Sequence, residues 1–143
     1  MEPSHVLVPL DGSPLADDAL AHALAVHDCR VTVLNVVTPP DAGMSEGGVL
    51  EAGAERREAA TERAERLVER ARNRAEAADR SVETAVESGD PADVVVAYAE
   101  DHGVDHIVMG SHGGERSDLA RRLLGTVATA VVSEAPVTVT VVR

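Results

Sequence analysis

Five short apolar runs recur along the chain, each of strand length and rich in β-branched residues: HVLVPL (5–10), VTVLNVV (31–37), SVETAV (81–86), HIVMG (106–110) and VTVTVV (137–142). Segments with helical spacing separate them. The first opens at Ser13, a residue type that caps helices, with Pro14 at the first helical position and Asp17 and Asp18 where the helix dipole favours acid. The second covers about 50–79, where Leu50, Ala54, Ala60, Ala64, Leu67, Ala71, Ala75 and Ala78 form one stripe and the pairs Glu62/Arg66 and Glu76/Arg80 fall four apart on the wet face. The third has Asp90 as cap, Pro91 at its start, Asp93 in a capping-box-like position and Gly103 after its last turn. The fourth runs over about 126–134 and stops before Pro136.

Alternation of this kind predicts a parallel sheet covered on both faces by helices, with right-handed crossovers. No internal repeat and no boundary interrupts it, so residues 1–143 read as one domain. A sheet of this type opens its ligand crevice beyond the carboxyl ends of the strands, where the strand order reverses. Two glycine-bearing turns stand at such ends: DGS (11–13) after the first strand, and GSHGG (110–114) after the fourth. A second glycine with a hydroxyl neighbour, Gly125–Thr126, follows fifteen residues after Gly110. Backbone N–H groups in such loops, and at a helix start beside them, suit a phosphate; a plain turn has the same composition. The Pro- and Gly-rich stretch TPPDAGMSEGG (38–48) reads as a surface loop or a flap beside the site.

Composition narrows the chemistry. The chain has no Phe or Trp and one Tyr, and Val and Ala supply 46 of its 63 apolar residues, which disfavours a nucleic-acid stacking surface. All 13 basic residues are Arg, against 25 acidic ones, and the formal charge of −12 opposes attraction to nucleic acid or anionic membrane. A lysine-free acidic surface is compatible with a high-salt cytoplasm. The single Cys29 forms no internal disulfide, no apolar run reaches membrane-spanning length, and MEPSHVLVPL lacks the features of a signal peptide, so a cytoplasmic protein is expected.

Rival motifs fail on residues. A Walker loop needs Lys, and there is none; a dinucleotide fingerprint needs G-x-G-x-x-G where DGS stands. No nucleophile–base set is recognisable by spacing, and Gly103 between His102 and His106 breaks the helix that would converge them on a metal, so neither catalytic nor metal-ligating residues are assigned.

VLVPLDGSPLADDALAHAL, SGDPADVVVAYAEDHGVDHIVMGSHG and LLGTVATAVVSEAPVTVTVVR together resemble the universal stress protein family over nearly the whole chain. The resemblance implies a five-stranded parallel sheet of order 3-2-1-4-5. It also implies an ATP site with the pattern G-x2-G-x9-G-[ST] for the phosphates. Gly110 and Gly113 match its first two glycines and Gly125 with Thr126 its last pair, with Met109 and Val127 flanking them. Pro9, Leu10 and Asp11 match the first-strand positions and Val36 the adenine-side position. Eleven residues, not nine, separate Gly113 from Gly125.

The family likeness gives ATP, with or without Mg2+, as the ligand and a nucleotide-responsive binding module in stress response as the function, with at most slow ATP hydrolysis or autophosphorylation. The alternative is a member that has lost nucleotide binding and acts through protein contacts. Either way a homodimer through Val137–Val142 is expected, with an unknown protein as further partner. Individual residues keep two readings. Asp11 contacts ribose or makes only an Asx turn; Thr126 meets phosphate, caps the fourth helix, or does both; His112 touches phosphate or is simply exposed. Arg116, Arg121 and Arg122 reach phosphate or lie on a solvated face.

Overall fold

The computed structural model describes residues 2–38, 49–112 and 124–143, with the side chains of 49–52 left aside. Strands β1 (His5–Pro9), β2 (Arg30–Val37), β3 (Glu83–Ser88), β4 (His106–Gly110) and β5 (Thr138–Val142) alternate with helices α1 (Pro14–Val26), α2 (Val49–Ala77), α3 (Pro91–Asp101) and α4 (Thr126–Glu134). The five strands form one parallel sheet in the order β3-β2-β1-β4-β5. The order reverses between β1 and β4.

The core is two apolar layers, one on each face of this sheet. Val6, Val8, Val31, Val33 and Val108 meet α1 and α2 through Ala16, Ala19, Leu20, Ala23, Val68 and Ala71. Leu7, Leu34, Ile107 and Met109 meet α3 and α4 through Ala92, Val95, Ala99, Ala128 and Val131. Strands buried on both faces are near-continuous apolar runs, as here, and small Ala faces let the helices sit close. Arg70 and Arg74 of α2 both hold the Asp17 carboxylate of α1, at 2.7 and 3.3 Å.

Local rules set most of the boundaries. The Ser13 hydroxyl accepts the Ala16 N–H and Pro14 opens α1; the Asp90 carboxylate accepts the Asp93 N–H and Pro91 opens α3. Four expectations need correction. The third strand is Glu83–Ser88 rather than 81–86, because its register is fixed by pairing Thr32 with Glu83 through to Val37 with Ser88. Among the described side chains of the α2 stripe, Ala64, Ala71 and Ala75 are buried, with Val68 beside them, while Ala54 and Ala78 are exposed. Arg80 does not pair with Glu76: its guanidinium donates to the Leu24, His27 and Cys29 carbonyls, closing the exit of α1. Thr126 is not the cap of α4; Gly125 is, and it has no side chain with which to cap.

Candidate nucleotide site at the strand-order reversal

β1 and β4 pair only through Val6–His106 and Leu7–Ile107, and beyond that point their carboxyl ends part. β1 then leaves the sheet through a hydrogen-bonded turn. Leu10 N–H donates to the Leu34 carbonyl at 2.8 Å, and the Asn35 amide donates to the Leu10 carbonyl at 2.7 Å. Arg63 donates to the Asp11 carbonyl at 3.3 Å, and the Ser13 N–H donates to Asp11 Oδ1 at 2.9 Å. Gly12 has φ +85°, a left-handed conformation that L side chains rarely adopt, and its Cβ position would lie 3.2 Å from Leu67. Asp11 thus makes an Asx turn, which uses one of its two carboxylate oxygens. The carboxylate stands at the cavity mouth, exposed.

β4 ends at Gly110, whose Cβ position would lie 2.9 Å from the Leu15 Cβ and 3.0 Å from the Leu15 carbonyl carbon. Gly125 is equally confined: its N–H donates to the Ser111 carbonyl at 2.6 Å, and its Cβ position would lie 3.0 Å from the His112 Cβ. Neither glycine has a left-handed φ. Both are required because backbone packs on backbone where the strand exit meets α1 and the start of α4. His112 lies at the cavity, with its Nε2 buried and without a partner among the described residues.

These elements enclose a cavity of about 460 Å³. Pro9, Leu10, Asp11, Val36, Met109, Gly110, Gly125, Thr126 and Val127 all line it; Gly113, the Arg116, Arg121 and Arg122 side chains and most of the 38–48 loop lie outside the described residues. The helix α3 contributes Pro91 and Val95, and β2 contributes Leu34, none of which the sequence placed at the site. Their apolar character was legible, but nothing local says that the first turn of α3 arches over the end of β2. The first-turn N–H groups of α4 belong to Thr126, Val127 and Ala128, which all line the cavity, and a glycine cap leaves them without a side-chain acceptor. His102 and His106 have separate partners: the His102 ring donates to the Tyr98 carbonyl, and the His106 ring bonds the Thr140 hydroxyl at 2.7 Å. Among the described residues no helix is long and apolar enough to cross a membrane.

A doubly wound α/β domain with a nucleotide-sized cavity at its switch point is the class that fold and site define. Residues 3–143 match the universal stress protein family, and the chain belongs to that family. The chain is 31% identical over 142 residues to a universal stress protein of Methanocaldococcus jannaschii, covering 96% of this chain and 81% of that one. The match to a universal stress protein of Methanothermobacter thermautotrophicus is 45% over 58 residues and spans 38% of that protein. Among solved structures, UspA of Lactobacillus plantarum superposes with a TM-score of 0.84 at 25% identity, covering 100% of this chain and 99% of that one. An Arabidopsis thaliana family protein solved with AMP bound shares the fold, with a TM-score of 0.70 at 21% identity over 98% and 91% of the two chains.

Proposed function

We propose that the cavity at the β1/β4 reversal binds ATP, or an adenine nucleotide derived from it, and that the protein is a nucleotide-responsive binding module of the stress response. The observation that carries this reading is the convergence of Pro9–Asp11, Val36, Met109–Gly110 and Gly125–Val127, from four separate stretches, on one cavity of about 460 Å³. That volume suits a mononucleotide. The apolar wall of Pro9, Leu34, Val36, Pro91 and Val95 takes the base, and the Asp11 carboxylate accepts from ribose hydroxyls with the oxygen that Ser13 leaves free. Phosphate oxygens accept from the uncapped N–H groups opening α4, where the helix dipole also favours negative charge. The Arabidopsis structure with AMP is in keeping with this ligand class, at the level of fold.

The described polar side chains of the lining are Asp11, Ser13, His112 and Thr126, and the Ser13 hydroxyl is already given to the Ala16 N–H. This is a poor set for catalysis, so bound nucleotide is held rather than turned over quickly. The test is mass spectrometry of small molecules released from purified protein, followed by calorimetry with ATP and AMP. An adenine nucleotide recovered and rebound supports the reading. No binding of either at millimolar concentration overturns it.

A second reading, homodimerisation without nucleotide, is favoured by the free edge of β5. The Ser111 N–H donates to the Val142 carbonyl, so Val142, Thr140 and Thr138 turn their backbone groups to β4, and Val139 and Val141 present theirs outward. An exposed strand edge invites a second copy. ATP binding that is absent from the wild type but appears after two residues are deleted between Gly114 and Leu119 would select this reading.

A further inference from the structure

One buried polar side chain beside the cavity has no part in the reading above. Asn35 lies in the middle of the apolar run of β2, 7% exposed, on the face that carries the core residues Val31 and Val33. Its amide donates to the Leu10 carbonyl at 2.7 Å. A carbonyl can only accept, so the amide nitrogen must be the atom that faces it.

In a parallel ladder a residue donates to one carbonyl of the neighbouring strand and accepts from the N–H two residues further along that strand. Leu10 obeys the first half, donating to the Leu34 carbonyl at 2.8 Å. The regular acceptance would be from the Val36 N–H. Asn35 occupies that place instead, and the β1–β2 register stops at Pro9–Leu34. β2 meanwhile goes on pairing with β3 as far as Val37–Ser88, and the Val37 carbonyl accepts the Gly89 N–H on that side. Backbone groups alternate sides along a strand, so those of Val36 face away from β3, toward the cavity that Val36 lines.

We propose that Asn35 is a positioning residue for the base: by supplying the Leu10 carbonyl with a side-chain donor, it releases the Val36 N–H from the sheet and leaves it for a ring-nitrogen acceptor of the bound ligand. The ligand chemistry is a heteroaromatic base with a ring-nitrogen acceptor beside an exocyclic donor, the donor meeting the Val36 carbonyl. This rests on the nucleotide reading of the cavity. An apolar residue in place of Asn35 leaves the buried Leu10 carbonyl short of a donor, and the nearest one is the Val36 N–H. Reclaiming it lengthens the ladder by one step and closes the base-reading edge without unfolding the sheet.

The experiment is amide hydrogen exchange by NMR at Val36 and Leu34, with binding of AMP and 1-deaza-AMP, in the wild type and in Asn35→Leu. Without ligand, the wild-type Val36 amide is expected to exchange fast while that of Leu34 is protected, and AMP should slow Val36. In Asn35→Leu, Val36 is protected without ligand, AMP affinity falls about tenfold, and the penalty for removing the ring nitrogen disappears. General loss of stability would lower affinity for both ligands alike and leave that penalty in place. A wild-type Val36 amide as protected as that of Leu34 without ligand overturns the proposal, however the variant behaves. So does a variant that still penalises 1-deaza-AMP as the wild type does. A wild type that binds no AMP removes the nucleotide reading itself, and with it this role for Asn35.

Discussion

The Cβ position of Gly110 lies 2.9 Å from the Cβ of Leu15, closer than side-chain carbons approach in folded proteins. The glycine that ends β4 thus serves the seat of α1 before it serves any ligand. A methyl there meets Leu15 backbone as well as side chain, so nothing flexible can give way. Gly110→Ala is expected to destabilise the fold by about 1–3 kcal/mol, as overpacking does, and to weaken nucleotide binding by displacing α1. Urea unfolding and calorimetry on the same preparation check it; a variant of wild-type stability would show that α1 moves freely.

Asp11 makes a different case, because its carboxylate is exposed and only one oxygen serves the turn. If the proposed ribose contact exists, Asp11→Ala should lower nucleotide affinity by about 1.5–3 kcal/mol, the range for a hydrogen bond to a charged group. Asp11→Asn keeps an oxygen for the Ser13 N–H and should retain the turn while losing part of the ribose contact. Equal affinities of the Ala variant for ATP and 2′,3′-dideoxy-ATP are the expected signature, against a clear preference for ATP in the wild type.

Two histidines at the amino ends of the strands predict how stability depends on pH. Burial lowers the pKa of His5 below 6.5, helped by Arg30 and opposed by the His102 carbonyl, Glu83 and Asp105. Burial likewise lowers that of His106, helped by His27, whose ring centroid is 5.1 Å away, and by His22, and opposed by Asp105. A base with a folded pKa below its unfolded one binds more protons when unfolded. Stability from both is therefore complete above about 6.5 and falls as pH drops below it. Urea midpoints should fall from pH 7.5 to pH 5.5, and His106→Gln should flatten part of that slope. A slope that His106→Gln leaves unchanged would contradict the lowered pKa of that buried ring.

The edge of β5 gives the fourth expectation. Val139 points its N–H outward, away from β4, so Val139→Pro removes a donor on the free edge and spares the β4–β5 ladder. If copies pair through this edge, light scattering should show a wild-type dimer at micromolar concentration in high salt and a monomer for the variant. A wild-type monomer under those conditions removes the dimer.

Much of the fold was legible because its rules are local. Ser13–Pro14 and Asp90–Pro91 mark helix starts by which side-chain oxygen can accept which N–H, and four residues of chain carry the whole signal. HIVMG is β4 to the residue, since the middle of a strand buried on both faces is apolar, as Ile107, Val108 and Met109 are. SVETAV misplaced β3 by two residues: its half-exposed, mixed character fits either register, and pairing with β2 decides. Likewise the chain could not say that Arg80 would leave Glu76 for three carbonyls at the end of α1, for those carbonyls converge only when α1 and α2 pack.

The sequence by itself determined the alternation of strands and helices, the caps of α1 and α3, and the glycine pattern that marks the family. The strand order came from family likeness, and the geometry of the parting between β1 and β4 came only from the tertiary structure. So did the reason for the glycines. Gly110 and Gly125 were expected to admit a ligand, yet what forbids a side chain at each is Leu15 in one case and His112 in the other. Asn35 shows the same division. In the sequence it is a polar residue in an apolar run, and only the end of the β1–β2 ladder reveals that its amide takes the place of a backbone N–H. Local chemistry is written in consecutive residues, whereas a cavity is made by chain segments that meet only after the sheet has formed.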